Sequence, residues 1–178
     1  IAHIVKYSHE RLSDLTETVV AGNPQLVIET LGDAGLRYQR VCARRQTSHW
    51  VQLDAYRVDD LKDAAGAGDW CTAGILTMIG GEGLLGFSAT SDKQVQEAVR
   101  FGQALAAWNC RFEGARGGMY AVTEKHCRTQ AHEIASGTKH LVNVRSTAAE
   151  VIGDCSSSFC RICESTAAYG NSRVSKKG

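Results

Sequence analysis

The chain has 178 residues, of which 43% are hydrophobic and 22% are charged, and its formal net charge is +1. These proportions predict one globular domain with a sizeable core. A net charge so close to zero gives no bulk attraction to nucleic acid or to a membrane surface, so we expect neither as a partner. Seven scattered cysteines, an odd number, favour a reducing compartment over a disulfide framework, and we predict a cytoplasmic location.

Strands and helices alternate in the first third of the chain, as judged from the spacing of apolar residues and from breaker residues. The order is strand, helix, strand and then two strands that resemble a hairpin, which predicts an α/β fold. Ser8 can cap the first helix, because its hydroxyl can accept a free backbone N–H there. The predicted elements are a strand at 2–7, a helix that ends at 21–24, a strand at 26–31, and two strands at 36–43 and 50–56.

Helices dominate the predictions for the remainder of the chain. Their apolar positions recur at helical spacing, and Ser91 opens a capping box before one of them. The predicted helices cover 70–79, the segment with an apolar face from 95 to 106, 123–136 with Gly137 as its stop, and, more weakly, 141–152. We therefore divide the chain into a domain at 1–118 and a mainly helical or irregular extension at 119–178.

The stretch that is most informative about function runs from Asp63 to Asp69 and reads D-A-A-G-A-G-D. Its small residues allow a backbone to come close to a ligand, and an apolar helix follows at once. A helix that starts there points free N–H groups and a positive dipole end at the ligand, which makes an anion site. Asp69 lies at the rim of that site, where a carboxylate can take a proton from a hydroxyl. The stretch therefore predicts phosphoryl transfer.

This stretch resembles the D-[ST]-x-G-A-G-D signature of the ribokinase-like (PfkB) carbohydrate kinases, which lies in the carboxy-terminal half of that family's domain. Residues 5–10 resemble the V-K-x-S-x-E segment of fructokinase-like members, and residues 30–35 match the family's T-L-G-x-x-G. The run 98–115 resembles the helix and G-A turn near the end of the family domain. The resemblance covers about residues 1–118 and implies the carboxy-terminal, nucleotide-binding portion of a ribokinase-like fold.

The resemblance also implies roles for individual residues. Asp69 matches the catalytic base, and Asp63 with the carbonyl of Ala65 matches the ligands of a monovalent cation such as K⁺. Magnesium is expected to arrive with ATP, and we do not expect zinc. The anion hole is matched by the backbone amides of Gly66, Ala67 and Gly68. Nucleotide-binding positions are matched by Ser8, Thr30, Gly32, Gly35 and, on the adenine side, Asn109.

The chain departs from the family pattern at three positions. Ser8 and Arg11 occupy the first and last positions of the family's N-x-x-E pattern, where many members have Asn and the Glu that organises magnesium. Ala64 stands where the family usually has Ser or Thr. The family's amino-terminal half, with most sugar contacts, has no match, and the sequence opens at Ile1 without methionine. We therefore expect a missing amino-terminal half or a partner chain.

Two function hypotheses follow from these observations. The first is ATP-dependent phosphoryl transfer to a hydroxyl of a sugar or sugar-like substrate, for which this segment alone should not suffice. The alternative is a nucleotide-binding regulatory or scaffold subunit with weak or no catalysis. A homodimer is an open alternative for the quaternary structure.

Four further patterns carry weaker predictions. The G-x-G-x-x-G at 81–86 is predicted to be a loop, because no strand precedes it as a dinucleotide-binding fold requires. The cysteines at 155, 160 and 163 have one metal-like spacing, for which His126, Cys127 or His132 could supply a fourth ligand. Cys71 and Cys110 lie on apolar helices and are predicted core residues. A buried Asn109 must bond to neighbouring backbone or to a ligand.

Overall fold

The structure, a computed structural model, describes residues 2–12, 24–41 and 48–137. Within these ranges a four-stranded sheet is combined with α-helices, so the predicted α/β class is confirmed. The strands are β1 (Ile4–Ser8), β2 (Leu26–Thr30), β3 (Leu36–Arg40) and β4 (Val51–Leu53). The helices are α1 (Ala67–Ile79), α2 (Gly83–Ala89), α3 (Asp92–Asn109), α4 (Gly117–Ala121) and α5 (Glu124–Ala135). Most of the predicted helix after Ser8 lies outside the described residues, as do the predicted helix at 141–152 and the cysteines at 155–163.

The strands lie in the order β1-β2-β3-β4. β1 and β2 are parallel, with Ser8 opposite Thr30, so the carboxyl ends of both strands meet at one edge of the sheet. β2 with β3 and β3 with β4 are antiparallel, which confirms the predicted hairpin-like pair. Since side chains alternate between the faces of a strand, Leu26 and Ile28 face α1 and α3, while Val27 packs on the opposite face with Tyr7.

The helices α1 and α3 cover one face of the sheet and cross each other closely. A Cβ on Gly74 of α1 would lie 2.7 Å from the Cα atom of Gly102 on α3, so neither glycine can be replaced without separating the helices. The predicted capping box at Ser91 opens α3. The helix predicted at 123–136 is α5, and it packs on α3 through Cys127, Ala131 and Ile134. The domain boundary at residue 118 stays a prediction.

The segment at 81–86 differs from its prediction. It is not a loop throughout, because α2 begins at Gly83, whose φ of +62° provides the turn out of α1. Phe87 anchors α2 by burying its ring among the side chains of α1, α3 and the sheet. Since α2 follows a helix and not a strand, the dinucleotide-binding arrangement is absent from this described segment. No single helix in the described ranges is long and apolar enough to cross a membrane, and α1 and α2 pass that test only as a pair bent by 82°.

Candidate active site

The loop before α1 is fixed by the carboxylate of Asp63. Its Oδ1 atom accepts a hydrogen bond from the Ala65 N–H at 2.8 Å, and its Oδ2 atom accepts one from the Gly114 N–H at 3.0 Å. The Asp63 N–H donates to the carbonyl of Cys110 at 3.2 Å. Asp63 therefore closes a turn within the loop and also joins the loop to the chain that follows α3. Its predicted role as a cation ligand stays a prediction.

Gly66 is the N-cap of α1, and only glycine fits its position. Its φ is +74°, and a Cβ would lie 2.8 Å from the Cβ and carbonyl oxygen of Ala115. The Trp70 Nε1–H, one turn into the helix, donates to the same Ala115 carbonyl at 2.8 Å. Ala115 is thus held between the cap and the first turn, which explains why the G-A turn after α3 accompanies the D-A-A-G-A-G-D stretch.

The helix α1 begins at Ala67, three residues before the predicted start, so Asp69 lies in its first turn with an exposed side chain. The Ala67 N–H donates to the Ala64 carbonyl at 3.1 Å. The amides of Gly66 and Gly68 have no hydrogen-bond partner among the described residues. Two of the three predicted anion-hole amides are therefore free to receive an acceptor, and all three assignments stay predictions.

Lys6 is a further site residue, which the sequence motifs do not predict. It lies on β1, half-buried, and its Nζ atom is 3.4 Å from the position that a Cβ would take on Gly68. Within the described ranges, neither a carboxylate nor another hydrogen-bond acceptor pairs with this ammonium group. Strand alternation was the available signal, because it places Lys6 on the face of β1 that α1 covers. A positive side chain thus stands beside the amino-terminal end of α1.

The nearby Cys71 thiol is buried one turn further along α1. Burial raises the pKa of this thiol to about 11, although the positive charge of Lys6 acts to lower it. Cys110 is buried as well, and burial together with the charge of Asp63 raises the pKa of its thiol. The prediction that both cysteines are core residues is confirmed. Neither is a thiolate nucleophile near neutral pH.

The Thr30–Gly35 segment forms the second part of the site. Thr30 ends β2, and its carbonyl accepts a hydrogen bond from the His9 N–H at 3.0 Å. The turn that follows is closed by the Leu31 N–H, which donates to the Gly35 carbonyl at 2.8 Å. Gly35 has φ of +95°, and a Cβ there would lie 2.2 Å from the Leu53 carbonyl oxygen, so glycine is required. Ser8 lies two residues beyond Lys6 on β1, and Thr30 lies two residues beyond Ile28, the partner of Lys6 on β2. Ser8 and Thr30 are therefore about 7 Å further along the strands than Lys6.

A carboxylate also approaches this turn. The Glu10 Oε1 atom lies 3.2 Å from the position of a Cβ built on Gly32, whose φ is +62°. Arg11, the residue that stands in place of the family's Glu, is exposed beside it. An acidic group thus lies next to Thr30–Gly35, but it comes from position 10 and not from position 11, where the family pattern has its Glu. The nucleotide-binding roles of Ser8, Thr30, Gly32 and Gly35 stay predictions.

Glu29 supports the end of the sheet from its other face. Its side chain is only 2% exposed, and it accepts hydrogen bonds from Arg37 Nε and, at 2.7 Å, from His9 Nδ1. Burial acts to raise the pKa of Glu29, but the hydrogen bonds and charges of Arg37 and His9 outweigh it, so the pKa is lowered. The Arg37 guanidinium lies over the Trp50 ring, 4.7 Å from its centroid. The sequence does not predict this cluster, because an isolated Glu in an apolar strand does not reveal its partners.

Asn109 is completely buried at the end of α3. Its Oδ1 atom accepts a hydrogen bond from the Gly118 N–H at 3.2 Å, and its Nδ2 group donates to the Ala115 carbonyl at 3.5 Å. Neighbouring backbone therefore satisfies this side chain, which was one of the two predicted alternatives. Asn109 braces the turn that holds Gly66, and its contact with nucleotide stays a prediction.

No group of three or more His, Cys, Asp or Glu side chains in the described part of the chain is arranged to hold a metal ion. Cys71, Cys110 and Cys127 are free and buried. The metal-like cysteine spacing at 155–163 lies outside the described residues, so the expectation about zinc stays a prediction.

Comparison with known proteins identifies the fold. The structure is similar to fructokinase from Vibrio cholerae O395 (TM-score 0.55, 20% identity, 73% of this chain and 41% of that one). It is also similar to a nucleoside kinase from Burkholderia thailandensis in complex with inosine (TM-score 0.54, 21% identity, 76% and 40%) and to ribokinase from Thermotoga maritima (TM-score 0.52, 17% identity, 75% and 42%). No family model and no curated protein matches the chain.

The chain spans about two fifths of the length of each of these kinases. At this level of identity the similarity establishes the fold and leaves the chemistry to the residues themselves. The chain therefore has part of the ribokinase-like fold, as its sequence motifs predicted.

Proposed function

We propose that the chain is the nucleotide-binding part of a kinase that transfers a phosphoryl group from ATP to a hydroxyl of a sugar or sugar-like substrate. The observation that carries the proposal is the grouping of three features at the start of α1. These are the exposed carboxylate of Asp69, the amides of Gly66 and Gly68, and the ammonium group of Lys6, and neither these amides nor Lys6 Nζ has a hydrogen-bond partner among residues 2–12, 24–41 and 48–137. The fructokinase of similar fold was solved with fructose and ADP, and the nucleoside kinase was solved with inosine. These ligands support a sugar or sugar-like substrate.

In the proposed reaction Asp69 accepts the proton of the substrate hydroxyl. The hydroxyl oxygen attacks the γ-phosphorus of ATP, the bond from that phosphorus to the β–γ bridging oxygen breaks, and ADP leaves. Negative charge on the transferred phosphoryl group is stabilised by the Gly66 and Gly68 N–H groups, the amino-terminal dipole of α1 and Lys6. The loop that carries Gly66 is fixed before the reaction by the hydrogen bonds of Asp63 and by the contact of Gly66 with Ala115.

Magnesium bound to ATP would neutralise the β- and γ-phosphates. Mg²⁺ keeps several water ligands and is held largely by phosphate oxygens, so the protein needs to supply few ligands of its own. We propose that Glu10, beside Gly32, contributes the acidic group that the family pattern places at position 11. For a monovalent cation we retain Asp63 and the Ala65 carbonyl. A fructokinase of the same fold was solved with potassium.

A second function is favoured by a different observation. Arg11 stands where the family pattern has the Glu that organises magnesium, so a positive charge replaces an acidic group there. A regulatory or scaffold subunit would bind nucleotide at the same site without turnover. We also propose a cytoplasmic location, where ATP is abundant and the free thiols of Cys71, Cys110 and Cys127 would stay reduced.

Binding and turnover measured on the complete natural gene product separate the two functions. The kinase proposal expects Mg²⁺-dependent ATP binding together with ADP production that depends on a sugar, sugar-like or nucleoside acceptor. ATP binding without turnover on a broad acceptor panel would favour the regulatory subunit. Failure to bind ATP would reject both.

A further inference from the structure

The indole of Trp70 joins the first turn of α1 to the chain that follows α3. Its Nε1–H group donates a hydrogen bond to the Ala115 carbonyl at 2.8 Å. Its ring also packs edge-on against Trp108, with the two ring centroids 5.8 Å apart and the ring planes at 60°. Trp108 is only 2% exposed and is therefore a fixed support. Trp70, which directly follows Asp69, is thus held both by its ring and by its N–H group.

The Ala115 carbonyl lies where several oxygen atoms of two segments meet. Its oxygen is 2.8 Å from the position of a Cβ built on Gly66, the residue that follows Ala65. The residue before Ala115 is Gly114, whose N–H group donates to Asp63 Oδ2 at 3.0 Å. The carbonyls of Ala115 and Ala65 and the Asp63 carboxylate therefore come together at the N-cap of α1. Negative charges that meet in this way are stabilised by a positive group, either an N–H donor or a cation.

A monovalent cation would suit these oxygens, because carbonyl oxygens can replace the water around such an ion. In this chain N–H groups already bond to the same oxygens. Asp63 accepts bonds from two backbone N–H groups, and Trp70 donates to the Ala115 carbonyl. Asn109 donates to that carbonyl as well, but at 3.5 Å its hydrogen bond is long and weak. The indole N–H of Trp70 is therefore the principal donor that joins the two segments at this carbonyl.

We propose that Trp70 is a positioning residue, whose N–H group holds the loop before α1 in the way that a bound monovalent cation otherwise would. A cation at Asp63 and Ala65 would then bind to a loop that is already ordered, so the order of the loop does not depend on that cation. Trp70 fixes Ala115 against Gly66, and this contact sets the direction of the amides at the start of α1. The part of the inference that concerns turnover rests on the proposed kinase function.

Hydrogen exchange at residues 64–70, measured by mass spectrometry on the complete natural gene product, tests the inference and needs no turnover. In this segment the N–H groups of residues 65, 67, 69 and 70 are hydrogen-bonded to nearby oxygens, so their exchange reports the order of the loop. We expect the wild type to exchange at the same rate, within about twofold, in potassium chloride and in choline chloride. Trp70→Phe keeps an aromatic ring but loses the donor, so it should exchange about fivefold faster in choline chloride and regain the wild-type rate in potassium chloride.

Two further variants serve as controls. Trp70→His retains a donor, because the five-membered ring of histidine has its Nε2 atom where the indole has Nε1. It should exchange more slowly than Trp70→Phe in choline chloride. If Trp70→Phe does not fold, Trp70→His is compared with the wild type instead, and an equal rate is expected. Trp50→Phe should exchange like the wild type in both salts, since the Trp50 ring lies under the Arg37 guanidinium and its N–H group bonds to no other described residue.

Several results of the exchange experiment would each overturn the inference. One is wild-type exchange that becomes faster when potassium is withdrawn, because the cation would then order the loop. Another is equal exchange of Trp70→Phe and the wild type in choline chloride, and a third is fast exchange of Trp70→Phe that potassium chloride does not slow. Where Trp70→His takes the place of Trp70→Phe, exchange faster than that of the wild type in both salts has the same meaning.

Turnover of the same proteins distinguishes positioning from nucleotide binding. In choline chloride Trp70→Phe should lower kcat about fivefold while the ATP dissociation constant stays within about twofold of the wild type, and potassium chloride should restore kcat. An unchanged kcat of Trp70→Phe in choline chloride would also overturn the inference. A wild type that turns over no acceptor would refute the kinase proposal, whereas the exchange rates would still decide the role of Trp70.

Discussion

Removal of the Lys6 ammonium group is expected to slow phosphoryl transfer without preventing ATP from binding. The Nζ atom lies 3.4 Å from the Cβ position of Gly68, and we take about 5 Å as the separation between this charge and a phosphoryl oxygen bonded to the Gly68 amide. At an effective dielectric constant of about 20, two unit charges at about 5 Å interact by about 3 kcal/mol. Partial exposure of Lys6 screens some of this energy, and about 2 kcal/mol, or about 30-fold in kcat, is expected for Lys6→Met.

Acceptor-dependent ADP production by the complete natural gene product measures this effect. Lys6→Arg retains the positive charge and should recover most of the rate, whereas Lys93→Met, an exposed lysine on α3, should leave it unchanged. The ATP dissociation constant of Lys6→Met is measured in parallel, because a loss of binding alone would indicate a ground-state contact. A kcat for Lys6→Met within about twofold of the wild type would refute the placement of this charge at the phosphoryl group.

Two further predictions concern the scaffold of the site. Gly66→Ala should destabilise the chain and abolish turnover, because a Cβ there would lie 2.8 Å from Ala115 at a φ of +74°. Gly83 is the matched control, because its φ is +62° and a Cβ built there would have no atom within 4 Å. Thermal unfolding should therefore show a backbone cost of only about 1 kcal/mol for Gly83→Ala and a clearly larger loss of stability for Gly66→Ala. Equal costs would contradict the close approach. Glu29 has a lowered pKa in the folded chain, so its stabilisation is complete above the unfolded pKa of about 4.5 and is lost as the pH falls below that value. Glu29→Gln should therefore lower the free energy of unfolding at pH 7 and flatten its dependence on pH in the acidic range, as measured by urea unfolding. If the slope of this free energy against pH were the same as in the wild type, Glu29 would not be held by Arg37 and His9.

Local patterns were sufficient for much of the fold. The capping box at Ser91 and the stop at Gly137 are short-range signals, and both mark helix boundaries in the structure. The start of α1 was placed three residues late, because Ala67 and Gly68 are too small to contribute to an apolar pattern. α2 was missed because three glycines at 81–86 outweighed the one residue, Phe87, whose burial holds the helix in place.

The site required contacts that no local pattern contains. The D-A-A-G-A-G-D stretch identified Asp69, but the reason for glycine at position 66 is Ala115, which lies 49 residues further along the chain. Lys6 and Glu29 read as ordinary strand residues until the sheet places them beside Gly68 and Arg37. Their partners are set by strand register and helix packing, which a sequence motif does not specify.

The Asp69→Asn variant of the complete natural gene product tests the central claim most directly. Asparagine keeps the shape of the side chain and its place in the first turn of α1 but cannot accept the hydroxyl proton. The account predicts an ATP dissociation constant within about threefold of the wild type and a kcat lower by at least about 100-fold, the range that a general base contributes. Turnover by Asp69→Asn within tenfold of the wild type would contradict the assignment of Asp69 as the base.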